Sequence, residues 1–419
     1  MNPERAILSQ ILQKPDLLHT RDFRVEHFTD PQLRRVYKAM RSVVDEGLSL
    51  DSVTLGERLN DYVTPGDIYE AIPTTANFDY YYGKLIETYR KNRLRDLIRR
   101  AQAILEEKTT DETISTIEGE LQAIISVSEQ YSVIHAGEAL SEFMDQVEQR
   151  YMAKGKLPGI STGMRMLDKV TLGFQPERYY VIGARPSQGK SALLLNIAKH
   201  SAMAGIPTGV ISLESGRDEI MCRMMSDLTN IDSRNLFTGY LQKRDFDSLT
   251  TAAGEVYESG LWLYDEPNAD LSTVLNQARY MVNKHGVQVI YIDYAQIIEL
   301  PNNTLDERQK LVKVSKALKQ LSRSLKIPIV ANAQLNRASD GRRPTLGDFD
   351  GSSQFEKDAD TAILIYHKTH DKRGSELPMD QRESFLLVEK NRDGQTGAIP
   401  VYFDKQHVRF YERTNEEAA

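Results

Sequence analysis

One stretch, Gly183-Ala184-Arg185-Pro186-Ser187-Gln188-Gly189-Lys190-Ser191, limits what this chain can fold into more than any other feature. An apolar run of strand type at 179–183 leads into it, and a helical run at 192–199 leads out. A strand that turns through a short loop into a helix points backbone N–H groups, and the positive end of the helix dipole, at one place. That place suits phosphate. Lys190 supplies a point charge for the β- and γ-phosphates, and Ser191 a hydroxyl for Mg²⁺. The residues expected against a nucleotide are Ala184, Arg185, Pro186, Ser187, Gln188, Gly189, Lys190, Ser191 and Ala192. One detail departs from the regular spacing. Counted back from Gly189, the first glycine position holds Ala184, and Gly183 stands one residue early.

Such a unit needs a sheet around it, and the residues after 159 provide the pattern for one. Apolar runs at 208–213, 261–264, 287–293, 328–333, 361–366 and 385–389 alternate with amphipathic helical runs. This predicts a mostly parallel sheet over 159–419 with helices on both faces. The run Val287-Gln288-Val289-Ile290-Tyr291-Ile292-Asp293 ends in a carboxylate suited to hold Mg²⁺ directly or through water. Glu214 ends the run Val210-Ile211-Ser212-Leu213-Glu214 just before a helix. It is either a general base that polarises water or a helix N-terminal charge favoured by the dipole.

Before residue 159 the periodicity is helical. Ala6, Ile7, Ile11 and Leu12 recur at helical spacing, as do Leu33, Val36, Tyr37 and Met40, and a further apolar face runs through Leu55, Leu59 and Tyr62. A longer pattern at 80–125 is interrupted by Thr109-Thr110-Asp111, which folds it into a hairpin. Residues 1–130 read as an all-helical domain and 131–158 as a linker region. In that linker, 139–152 is amphipathic, with Leu140, Phe143, Met144 and Val147 on one side. It either reaches a neighbouring subunit or packs on its own domain. The length of 419 residues exceeds one ordinary core and fits this division. The single cysteine, Cys222, excludes a disulfide framework and any multi-cysteine metal site. No apolar run is long enough to span a bilayer and no signal-peptide core is present, so the expectation is a soluble cytoplasmic protein without membrane partners.

Six segments, in order, resemble the replicative hexameric DNA helicases of the DnaB family. They are the loop from Ala184 to Ser191, Ser212-Leu213-Glu214, Ile292-Asp293-Tyr294-Ala295-Gln296, Gln334-Leu335-Asn336-Arg337, Glu356-Lys357-Asp358-Ala359-Asp360 and Lys390-Asn391-Arg392. The resemblance covers nearly the whole chain. It implies an all-α N-terminal domain with a helical hairpin, a linker helix and an α/β RecA-like P-loop ATPase domain. It also implies ATP with Mg²⁺, a homo-hexamer travelling 5′→3′ on single-stranded or forked DNA, and recruitment of primase and a helicase loader in a bacterium or a phage. On this footing Lys190, Ser191 and Asp293 serve phosphate and metal, Glu214 is the catalytic carboxylate, and Gln334 senses the γ-phosphate. Arg223 lies against adenine, and Lys390 and Arg392 reach the neighbour's γ-phosphate. Residues 390 and 392 alternate along a strand and so share a face. Two departures stand out. Ser215 follows Glu214 where the family usually has Met, and the loop Asp348-Phe349-Asp350-Gly351-Ser352-Ser353 carries two carboxylates where a basic residue is more usual.

The net charge of −7, from 53 Lys+Arg against 60 Asp+Glu, confines any DNA site to a local basic surface. Residues 301–350 are such a region. The helical lysines there read as a solvated face. Arg308, Lys310, Arg342 and Arg343, with the N–H groups of Gly351, Ser352 and Ser353, are the candidates for a backbone-tracking grip. Two other functions share this core: a RecA-like recombinase, which forms joint molecules without unwinding, and an ATP-gated replication scaffold that separates no strands.

Overall fold

The computed structural model describes residues 2–59, 64–72, 74–107, 109–110, 113, 116–117, 119–121, 124, 136–152, 155–300, 306–336, 342–350, 354–368 and 383–412. They form two compact units, Met1–Gln149 and Arg150–Ala419.

The first unit is helical. Helix Pro3–Gln13 starts at Asn2, whose Oδ1 accepts from Glu4 N at 2.9 Å, with proline in the first turn. Helix Pro31–Asp45 is capped in the same way by Asp30, and its Leu33, Val36, Tyr37, Met40 and Val43 form one buried stripe. This stripe packs with Ile7, Ile11, Leu55 and Ile68 in a single core. Of the face expected at Leu55, Leu59 and Tyr62, Leu55 is buried in helix Ser52–Gly56, and Tyr62 lies outside the described residues. Helix Phe78–Glu107 then runs for 30 residues. The chain returns along it: the Arg90 side chain donates to the Ile124 carbonyl at 3.2 Å, and Arg100 pairs with Glu120. Contacts that move outward on both sides of Thr109 are those of a helical hairpin, though Asp111 of the expected turn is not described. Helix Ala136–Met152 spans the division between the units and leaves Leu140, Phe143, Met144 and Val147 exposed.

The second unit is built on one nine-stranded sheet. In chain order the strands are β1 Tyr179–Ala184, β2 Thr208–Ser212, β3 Leu261–Tyr264, β4 Val289–Asp293, β5 Ile329–Gln334, β6 Thr361–His367, β7 Ser384–Asn391, β8 Gly397–Asp404 and β9 Arg409–Glu412. Their order across the sheet is β3-β2-β4-β5-β1-β6-β7-β8-β9. Strands β1 to β6 are parallel; β7, β8 and β9 continue antiparallel. The inner parallel strands are largely apolar because both faces are covered, with polar residues such as Asp293 and Gln334 at their carboxyl ends and Asn332 within β5. Helices Leu271–His285 and Glu307–Leu325 cover the face that includes Ile290, Ile292, Ile329 and Ala331. Helix Lys190–Met203 covers the face that includes Tyr180, Ile182, Tyr291 and Val330. Both β8 and β9 escaped the sequence analysis. They are covered on one side only, β8 contains Pro400, and proline argues against a paired strand.

Candidate active site

Because β1, β2, β4 and β5 are parallel, their carboxyl ends lie along one edge of the sheet. Such an edge is where open α/β sheets receive ligands. It gathers the loop after β1, Glu214 after β2, Asp293 ending β4 and Gln334 ending β5.

In the loop, Ser187 (φ 62°) and Gly189 (φ 86°) take left-handed conformations that turn successive N–H groups inward. Gly189 has no alternative. A Cβ there would stand 2.8 Å from Phe410 and 2.9 Å from Phe403, two rings stacked at 4.3 Å. His367 completes this wall. Its Nε2 donates to the Gln188 carbonyl at 3.0 Å, and its Nδ1 is 2.7 Å from Ser384 Oγ. His367 and both phenylalanines carry no local signal in the sequence, because they come from β6, β8 and β9, far from the loop along the chain. Arg185 donates to the Leu335 carbonyl at 3.1 Å and so ties the loop to the end of β5. Pro186 and Ser187 are exposed, and Ala192 is buried in the first turn of helix Lys190–Met203.

Lys190 lies 3.4 Å from the centroid of the Tyr294 ring and 4.0 Å from Glu214 Oε2. Burial pushes its pKa below the usual lysine range, and Asp293 and Glu214 pull it part of the way back. Glu214 stands half-exposed above a tight turn in which Ser212 Oγ donates to the Ser215 carbonyl at 2.6 Å. Asp293 is buried, and Asn332 Nδ2 donates to its Oδ1 at 2.8 Å. At the end of β5, Gln296 grips the Gln334 backbone, donating to its carbonyl at 3.2 Å and accepting from its N–H at 3.1 Å. The Asp350 N–H donates to the same carbonyl at 2.9 Å, which ties the strand end to the 348–350 loop.

Among the described residues no cluster of three or more His, Cys, Asp or Glu side chains forms a cation cage. The donor types suit a nucleotide-bound Mg²⁺: Asp293 would offer one carboxylate and Ser191 one hydroxyl.

Other expected residues are elsewhere or already engaged. Arg223 pairs with Glu219 one turn earlier on helix Arg217–Thr229. Lys390 and Arg392 lie at the opposite edge of the sheet. Asn391 is in register with Thr361, the first residue of β6, and Arg392 N donates to the Asp360 carbonyl at 3.0 Å. Asp360 N donates in turn to the carbonyl of Tyr179, which begins β1. The full length of β1, roughly 17 Å at about 3.3 Å per residue, separates these residues from the phosphate loop of their own chain. Arg392 is exposed, with its Nη1 3.2 Å from Asp360 Oδ1, while Lys390 donates to the Glu356 carbonyl at 2.6 Å.

Among the DNA candidates, Arg308 is exposed with no ion pair among the described residues. Lys310 sits 3.1 Å from Glu299, Arg343 sits 2.8 Å from Glu389, and Arg342 holds Asp348 with both terminal nitrogens, at 2.9 and 2.5 Å. Gly351, Ser352 and Ser353 lie outside the described residues, as does Arg337.

Residues 1–87 match the DnaB-like helicase N terminal domain, and residues 159–412 match the DnaB-like helicase C terminal domain. The chain belongs to the DnaB-like helicase family. It is 31% identical to the replicative DNA helicase DnaC of Bacillus subtilis (strain 168), over 97% of this chain and 93% of that one. It is 30% identical to the replicative DNA helicase DnaB of Treponema pallidum (strain Nichols), over 98% and 94%. A solved structure of a DnaB-like replicative helicase, described with its interactions with primase, superposes with a TM-score of 0.70 at 25% identity, covering 99% of this chain and all of the other.

Set against the DnaB pattern, the departures of this chain have local explanations. Ala184 is the last residue of β1, paired with Gln334, and its φ is not positive, so nothing there requires glycine. Gly183 is a packing residue: a Cβ would lie 2.6 Å from Leu364, 2.9 Å from Phe349 and 3.1 Å from Leu335. Ser215 is buried, and its N–H donates to Ser212 Oγ at 3.2 Å, in the turn that lifts Glu214. Asp348 does not face outward. It is buried and bonded to Arg342, Thr345 N and Thr345 Oγ1, which leaves Asp350 as the exposed carboxylate of that loop.

Proposed function

We propose that this chain is an ATP-hydrolysing replicative DNA helicase that works as a ring, with each nucleotide held between two copies. The observation that carries this is the roughly 17 Å separation between the phosphate loop and the half-buried Lys390 and exposed Arg392 of the same chain. A cationic group that far from its own site serves the site of a neighbour placed edge to edge. The exposed apolar face of helix Ala136–Met152 and the exposed Phe237, Tyr240 and Phe246 on the second unit supply surface for that assembly, a ring of six copies in this reading.

In this account Lys190, the loop N–H groups and the start of helix Lys190–Met203 bind the triphosphate of ATP. Ser191 and Asp293 would hold Mg²⁺, which would offset the charge of the phosphates. Glu214 polarises the attacking water and Arg223 lies against adenine. Arg392, with Lys390, stabilises the charge that develops on the γ-phosphate, an effect worth ~10³–10⁵ in rate for an arginine finger. Gln334 reads the γ-phosphate, and its carbonyl passes the state of the site to the loop at Asp350. Loops beyond β4 and β5 then track one DNA strand from 5′ to 3′, Arg308 foremost, and the excluded strand is displaced. Breaking stacking at about 1.4 kcal/mol per base-pair step requires this coupling to hydrolysis. Primase and a loader dock on the helical N-terminal unit, and the assembly operates in a bacterial cytoplasm. No helix among the described residues is long and apolar enough to cross a membrane.

The test is forked-duplex unwinding by the wild type and Lys190→Ala. ATP-dependent unwinding that disappears in the variant supports the motor, and unwinding that survives defeats it. Joint-molecule formation, or nucleotide-dependent assembly with no strand separation, would instead mark a recombinase or a scaffold.

A further inference from the structure

Asn332 is a fully buried amide in the middle of β5, flanked by Ile329, Val330, Ala331 and Ala333, all of them buried and apolar. Its position is not arbitrary. Side chains alternate along a strand, and Val330 faces the layer of helix Lys190–Met203 while Ile329, Ala331 and Ala333 face the other. Asn332 therefore faces the phosphate-loop side, as does Asp293, which follows Val289 and Tyr291 on the same face of β4. The amide lies under the floor of the site, one strand away from the carboxylate that ends β4.

Its hydrogen bonding is as specific as its position. Nδ2 donates to Asp293 Oδ1 at 2.8 Å, whereas its own Oδ1 is buried and has no partner among the described residues. The orientation is fixed by chemistry, since only the NH₂ end can face a carboxylate. A buried amide oxygen without a partner is unfavourable, and a hydrophobic residue would fill this strand position without that cost. The feature becomes intelligible when Asp293 carries a hydrated metal. One Asp293 oxygen is then held by Asn332 so that the other is aimed at the ion, and the free Asn332 oxygen is available to a water on that ion.

We propose that Asn332 is a positioning residue for the nucleotide-bound Mg²⁺: it locks the Asp293 carboxylate through Nδ2 and offers its buried Oδ1 to the ion's water shell. This rests on the assignment of Asp293 as a metal ligand, and the experiment separates the two. The affinity of a fluorescent ADP derivative is measured for the full-length protein with Mg²⁺ and with EDTA, and the ratio gives the metal enhancement. Asn332→Leu, close in volume, and Asn332→Ala should each lower that enhancement about 10-fold, the size expected when an outer-shell partner is lost. Affinity in EDTA should stay within about twofold of wild type, because Asn332 touches no phosphate group in this scheme. Asp293→Asn should abolish the enhancement.

If Asp293→Asn abolishes it while either folded Asn332 variant keeps it intact, the role given to Asn332 is wrong and the metal site stands. If Asp293→Asn also keeps it, the metal assignment itself falls. Should Asn332→Leu fail to fold, Asn332→Ala decides by the same ratio. Failure of both to fold would make Asn332 a purely structural residue and overturn the proposal.

Discussion

Gly183→Ala and Ala184→Gly separate packing from phosphate binding at the start of the loop. A methyl at 183 would meet Leu364 Cδ2 at 2.6 Å, Phe349 Cε1 at 2.9 Å and Leu335 Cδ2 at 3.1 Å. All three neighbours are buried, Phe349 presents a rigid ring, and Leu364 lies within β6, so none can withdraw freely. Overpacking of this kind costs about 1–3 kcal/mol. At about 2–4 °C per kcal/mol for a unit of this size, the melting temperature should fall by roughly 2–12 °C. Ala184→Gly trades a buried methyl for a more flexible strand end and should cost only about 0.5–1 kcal/mol. Neither change touches the N–H groups that face phosphate, so ADP affinity measured well below the melting point should remain near wild type for both. Leu364→Val removes the atom nearest the new methyl, so the double variant Gly183→Ala/Leu364→Val should melt higher than additivity of the single changes allows. The assays are thermal denaturation and fluorescent-ADP titration. An unchanged melting temperature together with a tenfold loss of ADP affinity in Gly183→Ala would refute the reasoning and make Gly183 a phosphate-loop glycine.

Arg392→Ala should abolish most ATP turnover, by ~10³-fold or more, with little change in melting temperature, because Asp360 keeps Lys319 and the Tyr179 N–H as partners; turnover and melting of the same preparation check this. Arg308→Ala should reduce the slope of log affinity against log salt for single-stranded DNA by about 1, whereas Arg342→Ala should leave the slope unchanged because Arg342 is bound to Asp348. Burial holds the pKa of His27 below its ordinary value, which outweighs nearby charges of both signs. The unfolded chain therefore binds more protons than the folded one as pH falls below about 6.5, and His27 destabilises the first unit progressively across that range. His27→Phe should flatten this acid limb of melting temperature against pH between 7.5 and 5, and a limb of unchanged steepness would contradict it.

Much of this molecule is readable from its residues because its signals are local. The β1 run, the loop to Ser191 and the helix that follows are contiguous, and the apolar strands buried on both faces announce themselves as unbroken runs. The hairpin turn near Thr109 and the buried stripe of helix Pro31–Asp45 are also local patterns. What escaped is non-local. His367 and Phe410 support Gln188 and Gly189 from about 180 and 220 residues away in the chain, through strand order alone. Asn332 looks like a stray polar residue until β4 and β5 are laid side by side. Basic residues mislead for a related reason. Arg342 and Arg343 read as free charge in the sequence, yet the carboxylates that hold them, Asp348 and Glu389, sit on elements that charge counting cannot place beside them. Asp348 shows the converse, an acid that reads as exposed but is turned inward.

The claim that the nucleotide is completed by a second copy is tested most directly by mixing two inactive proteins, Arg392→Ala and Glu214→Gln. The first retains an intact phosphate loop and Glu214, and the second retains Arg392. In rings that contain both, some interfaces pair the sound half of one with the sound half of the other. ATP turnover should then rise above either parent alone and peak at intermediate ratios. Turnover that stays at the parental level at every ratio, with mixed rings demonstrated by native mass spectrometry, would contradict a site shared between copies.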